Sequence, residues 1–133
     1  MSTKIFVNQP VKDLTSSIDF FTALGYSVNP QFTDENAACV VINEHIYTML
    51  LTEPFFKNFT KKPIVDATAG TETIVALSVD SREEVDVLVD KALAAGAQAA
   101  NEPSDMGFMY SRSFSDLDGH TWEVLYMDPS HVE

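Results

Sequence analysis

Near the C-terminus, the run TWEVLYM (121–127) sets one acid, Glu123, among large apolar residues. A carboxylate in that place can ligate a metal, take a proton or accept hydrogen bonds from a bound molecule. It can also be an ordinary wet residue on the solvated face of a strand. Few other side chains suggest chemistry. Three histidines, His45, His120 and His131, are scattered, with no His-x-His or Glu-x-x-His spacing. The single cysteine, Cys39, lies in the apolar run ACVVI, which predicts a buried, inert thiol. There is no G-x-S-x-G nucleophile turn and no phosphate-cradling loop, since the five glycines occur singly. Arg112 alternates onto one face with Tyr110 and Phe114. It is an anion clamp for a ligand, a surface residue with its stem laid on apolar neighbours, or an internal partner of Glu123.

Composition narrows the function classes. The net charge is −12, from 20 acidic and 8 basic residues, and no basic cluster exceeds Lys61-Lys62. Nucleic acid is therefore not an expected partner, because phosphate binding needs a basic face. No segment approaches the ~20 apolar residues of a membrane span. The opening MSTKIFVNQ lacks the charged-then-apolar pattern of a signal peptide, so a reducing cytoplasm is the expected compartment.

The elements that must position these residues come in two similar sets. KIFVNQPV reads as a strand, and DLTSSIDFFTALG as a helix capped by Asp13 and stopped by Gly25. Strands are expected at 26–33, 37–42 and 46–51. The order then repeats about 70 residues later. TETIVALSVD is a strand, and SREEVDVLVDKALAAG is a helix opened by a Ser81/Glu84 capping box and stopped by Gly96. Its expected apolar stripe is Val85, Leu88, Val89, Ala92 and Leu93. Strands are expected at 97–102, 109–114 and 121–127, the last two joined by an Asp118-Gly119 hairpin turn. The fold class is therefore α+β: two βαβββ modules, about 3–52 and 71–128, in a single domain over 1–133 with a linker at 53–70. One helix covers one face of each sheet, so the other face must pack on something or line a cavity. Phe55, Phe56 and Phe59 in the linker are core, subunit interface or a flap over a pocket.

Duplicated βαβββ order, an early VKDLTSSIDFFTALGY and a late DLDGHTWEV together resemble the vicinal oxygen chelate superfamily, which includes glyoxalase I, extradiol dioxygenases and the fosfomycin- and bleomycin-resistance proteins. The early segment is similar to that family's V-x-D-L-x-x-S-x-x-F-Y opening. The late one is similar to its D-P-D-G-x-x-x-E ending, with Leu117 replacing proline. The wording is most similar to a subgroup described as predicted lactoylglutathione lyases.

The resemblance implies a cupped mixed sheet, a small-molecule ligand in the cup, a homodimer and, commonly, a divalent metal. Glu123 falls at the family's last metal-ligand position and is the candidate metal and catalytic residue. The family's first ligand position is occupied by Phe6 and its third by Ile74, and neither can donate a lone pair. The strand 46–51, which would supply the second, contains no His, Glu, Asp or Cys. One acid cannot satisfy an ion that takes four to six donors. The expectation is therefore no cofactor, or a weakly bound divalent metal. The protein is then a small-molecule-binding relative with a degenerate metal site. The competing expectation is a metal-dependent lyase, isomerase or dioxygenase of the same superfamily. Phe6 and Asn8, which share a strand face, together with Ile74, Ser78 and Arg112, are the candidate ligand-binding residues.

Overall fold

The computed structural model describes residues 3–131. The chain divides into two compact units, Met1–Val65 and Asp66–Glu133. Each is a βαβββ module with its own sheet, and the α+β class expected from the sequence is the one observed.

The first unit opens with β1 (Ile5–Val11) and α1 (Leu14–Ala23). The Asp13 side chain caps α1 by accepting from Ser16 N at 3.1 Å, which satisfies one of the helix's orphan donors. Gly25 ends it in a left-handed conformation, φ 106°, which other residues rarely adopt. Next come β2 (Ser27–Asn29), a single 3-10 turn at Pro30–Phe32, β3 (Ala37–Val41) and β4 (Ile46–Thr52). The extended stretch expected over 26–33 is thus cut short. Pro30 begins the turn, and the Asn29 side chain accepts from Gln31 N at 3.0 Å, a local bond that competes with the ladder.

The sheet order is β1-β4-β3-β2, with β1 and β4 parallel and the rest antiparallel. One face carries Gln9, Val11, Thr48, Leu50, Ala38 and Val40, all buried, and the sheet packs on α1, whose Ser17, Phe20 and Phe21 are buried. The other carries Phe6, Asn8, Tyr47, Met49, Leu51 and Ala37. After β4, a single helical turn, α2 (Glu53–Phe56), runs into a 3-10 turn at Lys57–Phe59.

The second unit repeats the plan with β5 (Ile74–Ser78), α3 (Arg82–Ala94), β6 (Gln98–Ala99), β7 (Ser104–Asp105), β8 (Met109–Ser115) and β9 (Thr121–Met127). Ser81 Oγ accepts from Glu84 N at 3.1 Å, and Glu84 Oε2 accepts from Asp80 N at 2.8 Å. Gly96 ends α3 at φ 115°, matching Gly25 in the first unit. Within the α3 stripe, Val85, Val89 and Ala92 are buried, and Leu88 and Leu93 half-buried. The order is β5-β9-β8-β6, with β7 also on β8 and β5 parallel to β9.

Of the strand expected at 97–102 only β6 forms, and β7 follows beyond it at Ser104–Asp105. Pro103 lacks the N–H a ladder needs, and Asn101 N turns to Ser113 Oγ at 2.9 Å. Trp122, Val124 and Phe114 are buried on the α3 side of the sheet. Trp122 and Phe114 stack with centroids 6.4 Å apart.

Candidate functional site

In the first unit, the sheet face opposite α1 forms the floor of a cavity of about 460 Å³. Asn8, Ala37, Met49 and Leu51 make the floor. They share it because β1 pairs in parallel with β4, Asn8 opposite Met49, and β3 pairs with β4, Ala37 opposite Leu51. Phe55 and Phe59 form one wall, their rings edge-to-face at 5.3 Å. The segment 31–34, with Phe32 and Asp34, forms the other. Among the linker aromatics, Phe55 and Phe59 line this cavity.

Asp34 is held by its own turn. Its Oδ1 accepts from Asn36 N at 2.8 Å and Ala37 N at 3.1 Å, and its N–H donates to Ala37 O at 2.8 Å. Thr33 Oγ1 accepts from Cys39 N at 3.1 Å and donates to Asn29 O at 2.8 Å, tying this wall to the sheet. Cys39 is buried beside it, and burial pushes its thiol above the ordinary value. Phe6, one residue pair further along β1, stacks on Tyr47 with centroids 4.6 Å apart and planes 10° apart.

In the second unit, the face opposite α3 carries Ile74, Ala76 and Ser78 from β5, then Thr121, Glu123 and Leu125 from β9. Ser111, Ser113 and Ser115 of β8 complete it. Glu123 lies between Ala76 on one side and Ser113 on the other, half-buried. No hydrogen bond or ion pair reaches its carboxylate among the described residues.

Arg112 is on the opposite face of the same sheet, in register with Val124. The internal pair with Glu123 that strand adjacency allowed is not formed. Arg112 donates instead to Asp86 and Asp90 of α3, each at 3.0 Å. Tyr110 OH donates to the same Asp86 at 2.6 Å, and that bond, with the Arg112 contacts, holds Asp86 below the ordinary carboxylate value. Arg82 lies over the Tyr110 ring at 4.7 Å and pairs with Asp105. This network fastens α3 to β8.

Asp116, which sequence reasoning passed over, organises the turn leading to Glu123. Its Oδ1 accepts from the backbone N–H of Asp118 and of His120, each at 3.0 Å, and its Oδ2 accepts from Trp122 Nε1 at 2.9 Å. Burial raises its pKa against the pull of those donors. The Asp-x-Asp-Gly spacing was the available signal, since an Asp two residues before a turn often bonds the backbone ahead of it. Gly119 has φ 87°, and a Cβ there would lie 2.8 Å from Thr68 N.

The donor set bears on the metal that the family commonly holds. In the first unit, the positions of β1 and β4 facing away from α1 are Phe6, Asn8 and Pro10, and Tyr47, Met49 and Leu51; in the second unit, taken by itself, those of β5 and β9 facing away from α3 are Ile74, Ala76 and Ser78, and Thr121, Glu123 and Leu125. Glu123 is the one strong donor among them. Among the described residues, no three His, Cys, Asp or Glu side chains are grouped to hold an ion. These residues do not fit a divalent ion.

A duplicated βαβββ module with a helix on one face of each sheet defines a class, and the comparisons agree with it. The family model of the Glyoxalase/Bleomycin resistance protein/Dioxygenase superfamily matches residues 5–124, and the chain belongs to that superfamily. A hypothetical protein from S. aureus is 32% identical, with 95% of each chain covered and a TM-score of 0.78. A glyoxalase/bleomycin resistance protein/dioxygenase family enzyme from Burkholderia phytofirmans is 16% identical over 95% of this chain and 99% of its own, with a TM-score of 0.77. A genomically encoded fosfomycin resistance protein from Listeria monocytogenes is 19% identical over 95% of this chain and 91% of its own, with a TM-score of 0.67. The last two share the fold alone. Among curated proteins, none matches the chain. No helix among the described residues is long and apolar enough to cross a membrane.

Proposed function

We propose that this protein binds a small aromatic or amphipathic molecule and holds no divalent metal tightly. The observation that carries the reading is the first-unit cavity, apolar and aromatic with a few polar groups, which is the usual make-up of a small-molecule site. Asn8 supplies an amide to the ligand, and Phe6, stacked on Tyr47, extends the aromatic surface beside it. In the second unit, Glu123 offers an unpaired carboxylate between Ala76 and Ser113, on the face that also carries Ile74 and Ser78. It is the residue we assign to polar recognition of a ligand and, if the protein turns one over, to proton transfer. Arg112 is left out of this set, because Asp86 and Asp90 engage it on the α3 side. The assembly proposed is a homodimer in a reducing cytoplasm, which sedimentation at micromolar concentration tests.

The deciding experiment is elemental analysis of the purified protein, with calorimetric titration by Ni²⁺, Zn²⁺, Mn²⁺ and Fe²⁺. Weak or absent binding is expected. Tight stoichiometric binding that is lost in Glu123→Gln would overturn the reading in favour of a metal-dependent lyase, isomerase or dioxygenase, including lactoylglutathione lyase-like chemistry.

A further inference from the structure

The cavity of the first unit has a charge character that its apolar floor does not explain. Asp34 is the ionisable side chain in its lining, and no Lys, Arg or His joins it there. The Asp34 Oδ1 is committed to two backbone donors, while its Oδ2 takes none of the hydrogen bonds formed among the described residues. The turn thus fixes the carboxylate in place and leaves one oxygen for something else. Beside it, Phe32 is 60% exposed and Phe59 67% exposed. Large rings left this open at the wall of a concavity keep apolar surface in water that an occupant would cover.

Aromatic faces are attractive to cations because the ring quadrupole is negative above and below the plane. A fixed carboxylate beside such rings, without a competing cation in the lining, suits a positively charged organic group. It disfavours an anion, which would meet Asp34 with no counter-charge in the lining. The chain's net charge of −12 adds a long-range field of the same sign.

We propose that this cavity takes a small aromatic organic cation. Its charged nitrogen sits at Asp34 and its ring system lies between Phe32 and the Phe55–Phe59 pair, over Met49 and Leu51. The inference rests on the small-molecule reading above and adds the ligand's charge class and the residue that selects it.

Fluorescence titration with two probes of comparable size tests it: ethidium, a planar aromatic cation, and anilinonaphthalene sulfonate, an aromatic anion. Ethidium is expected to bind one per chain and at least tenfold tighter than the anion. Asp34→Asn keeps an Oδ1 to accept from Asn36 and Ala37, so the turn is retained, and it should weaken ethidium at least tenfold. Phe59→Ala should weaken both probes. Glu35→Gln removes the same charge one residue away, outside the cavity lining, and should change ethidium affinity less than twofold.

If Asp34→Asn binds ethidium like the parent, or Glu35→Gln weakens it as much, the charge selection is refuted. If the anion binds as tightly as ethidium and is lost in Phe59→Ala, the cavity still binds small molecules and only the cation inference fails. If neither probe binds and the metal titration shows a tight site, the small-molecule reading falls with it.

Discussion

Removing the Asp116 carboxylate should be among the most damaging single changes in the second unit. In Asp116→Ala, three donors lose their acceptor at once. Asp118 N and His120 N belong to a half-exposed turn and regain water, so each bond is worth about 0.5–1.5 kcal/mol. Trp122 is 1% exposed, and water does not reach its indole N–H. Depriving that donor of its acceptor costs about 1–3 kcal/mol. Against this, the substitution relieves the desolvation that raises the Asp116 pKa. The balance is a loss of roughly 2–4 kcal/mol. Asp116→Asn keeps one oxygen for the two backbone donors but turns an amide NH₂ toward the indole, so its loss should be smaller, roughly 1–2 kcal/mol. Trp122 is the chain's single tryptophan, so urea unfolding followed by its fluorescence reads the affected site directly. With a slope of about 2 kcal/mol/M, the Asp116→Ala midpoint should fall by roughly 1–2 M. A midpoint within 0.2 M of the parent at unchanged slope would refute the role given to Asp116.

Other expectations concern both faces of the second sheet. Glu123→Leu should leave stability unchanged to within about 1 kcal/mol, and its effect should add to that of Arg112→Met within about 0.5 kcal/mol, because the two residues face opposite sides; a coupling above 1.5 kcal/mol in thermal melts would contradict that placement. Gly119→Ala should cost about 2 kcal/mol or more by the same melts, since it meets both the left-handed backbone penalty and the Thr68 backbone. Asp86 has a folded-state pKa below its unfolded one, so the stability it adds is present above about pH 4 and is lost as pH falls through the folded value. The gap between melts of Asp86→Asn and the parent should therefore be largest well above about pH 4 and shrink as pH falls through the folded value, and a gap that stays constant as the pH is lowered would count against it.

Much of this architecture could be read from period and punctuation. Asp13, Ser81, Gly25 and Gly96 bound their helices as cap chemistry dictates, and two-residue alternation put Asn8 with Phe6 and Glu123 with Thr121. What alternation cannot supply is register between strands. Arg112 was correctly aligned with Tyr110 and Phe114, yet its partners are on α3, 26 and 22 residues away, and only the pairing of Arg112 with Val124 settles which side it faces. The cavity was harder still. It needs β1 beside β4, a closure across 41 residues visible in the Thr48 Oγ1 bond to Val7 O, and a 3-10 turn that Pro30 hinted at without placing Phe32. Asp34 stands in the polar turn Asp34-Glu35-Asn36, and nothing local shows that its carboxylate also lines a cavity.

In each sheet the residues that pack under the helix and those on the opposite face alternate along one backbone. Val40, Leu50, Trp122 and Val124 look toward a helix, while their immediate neighbours look away. Mutation can therefore revise the outward set one position at a time without repacking the inward set. A lineage built on this plan can exchange a histidine for a phenylalanine at one step and an acid for a serine at another, and remain a folded protein throughout. The helix side of each sheet is thus bound by packing, and the opposite side is the freer of the two to change.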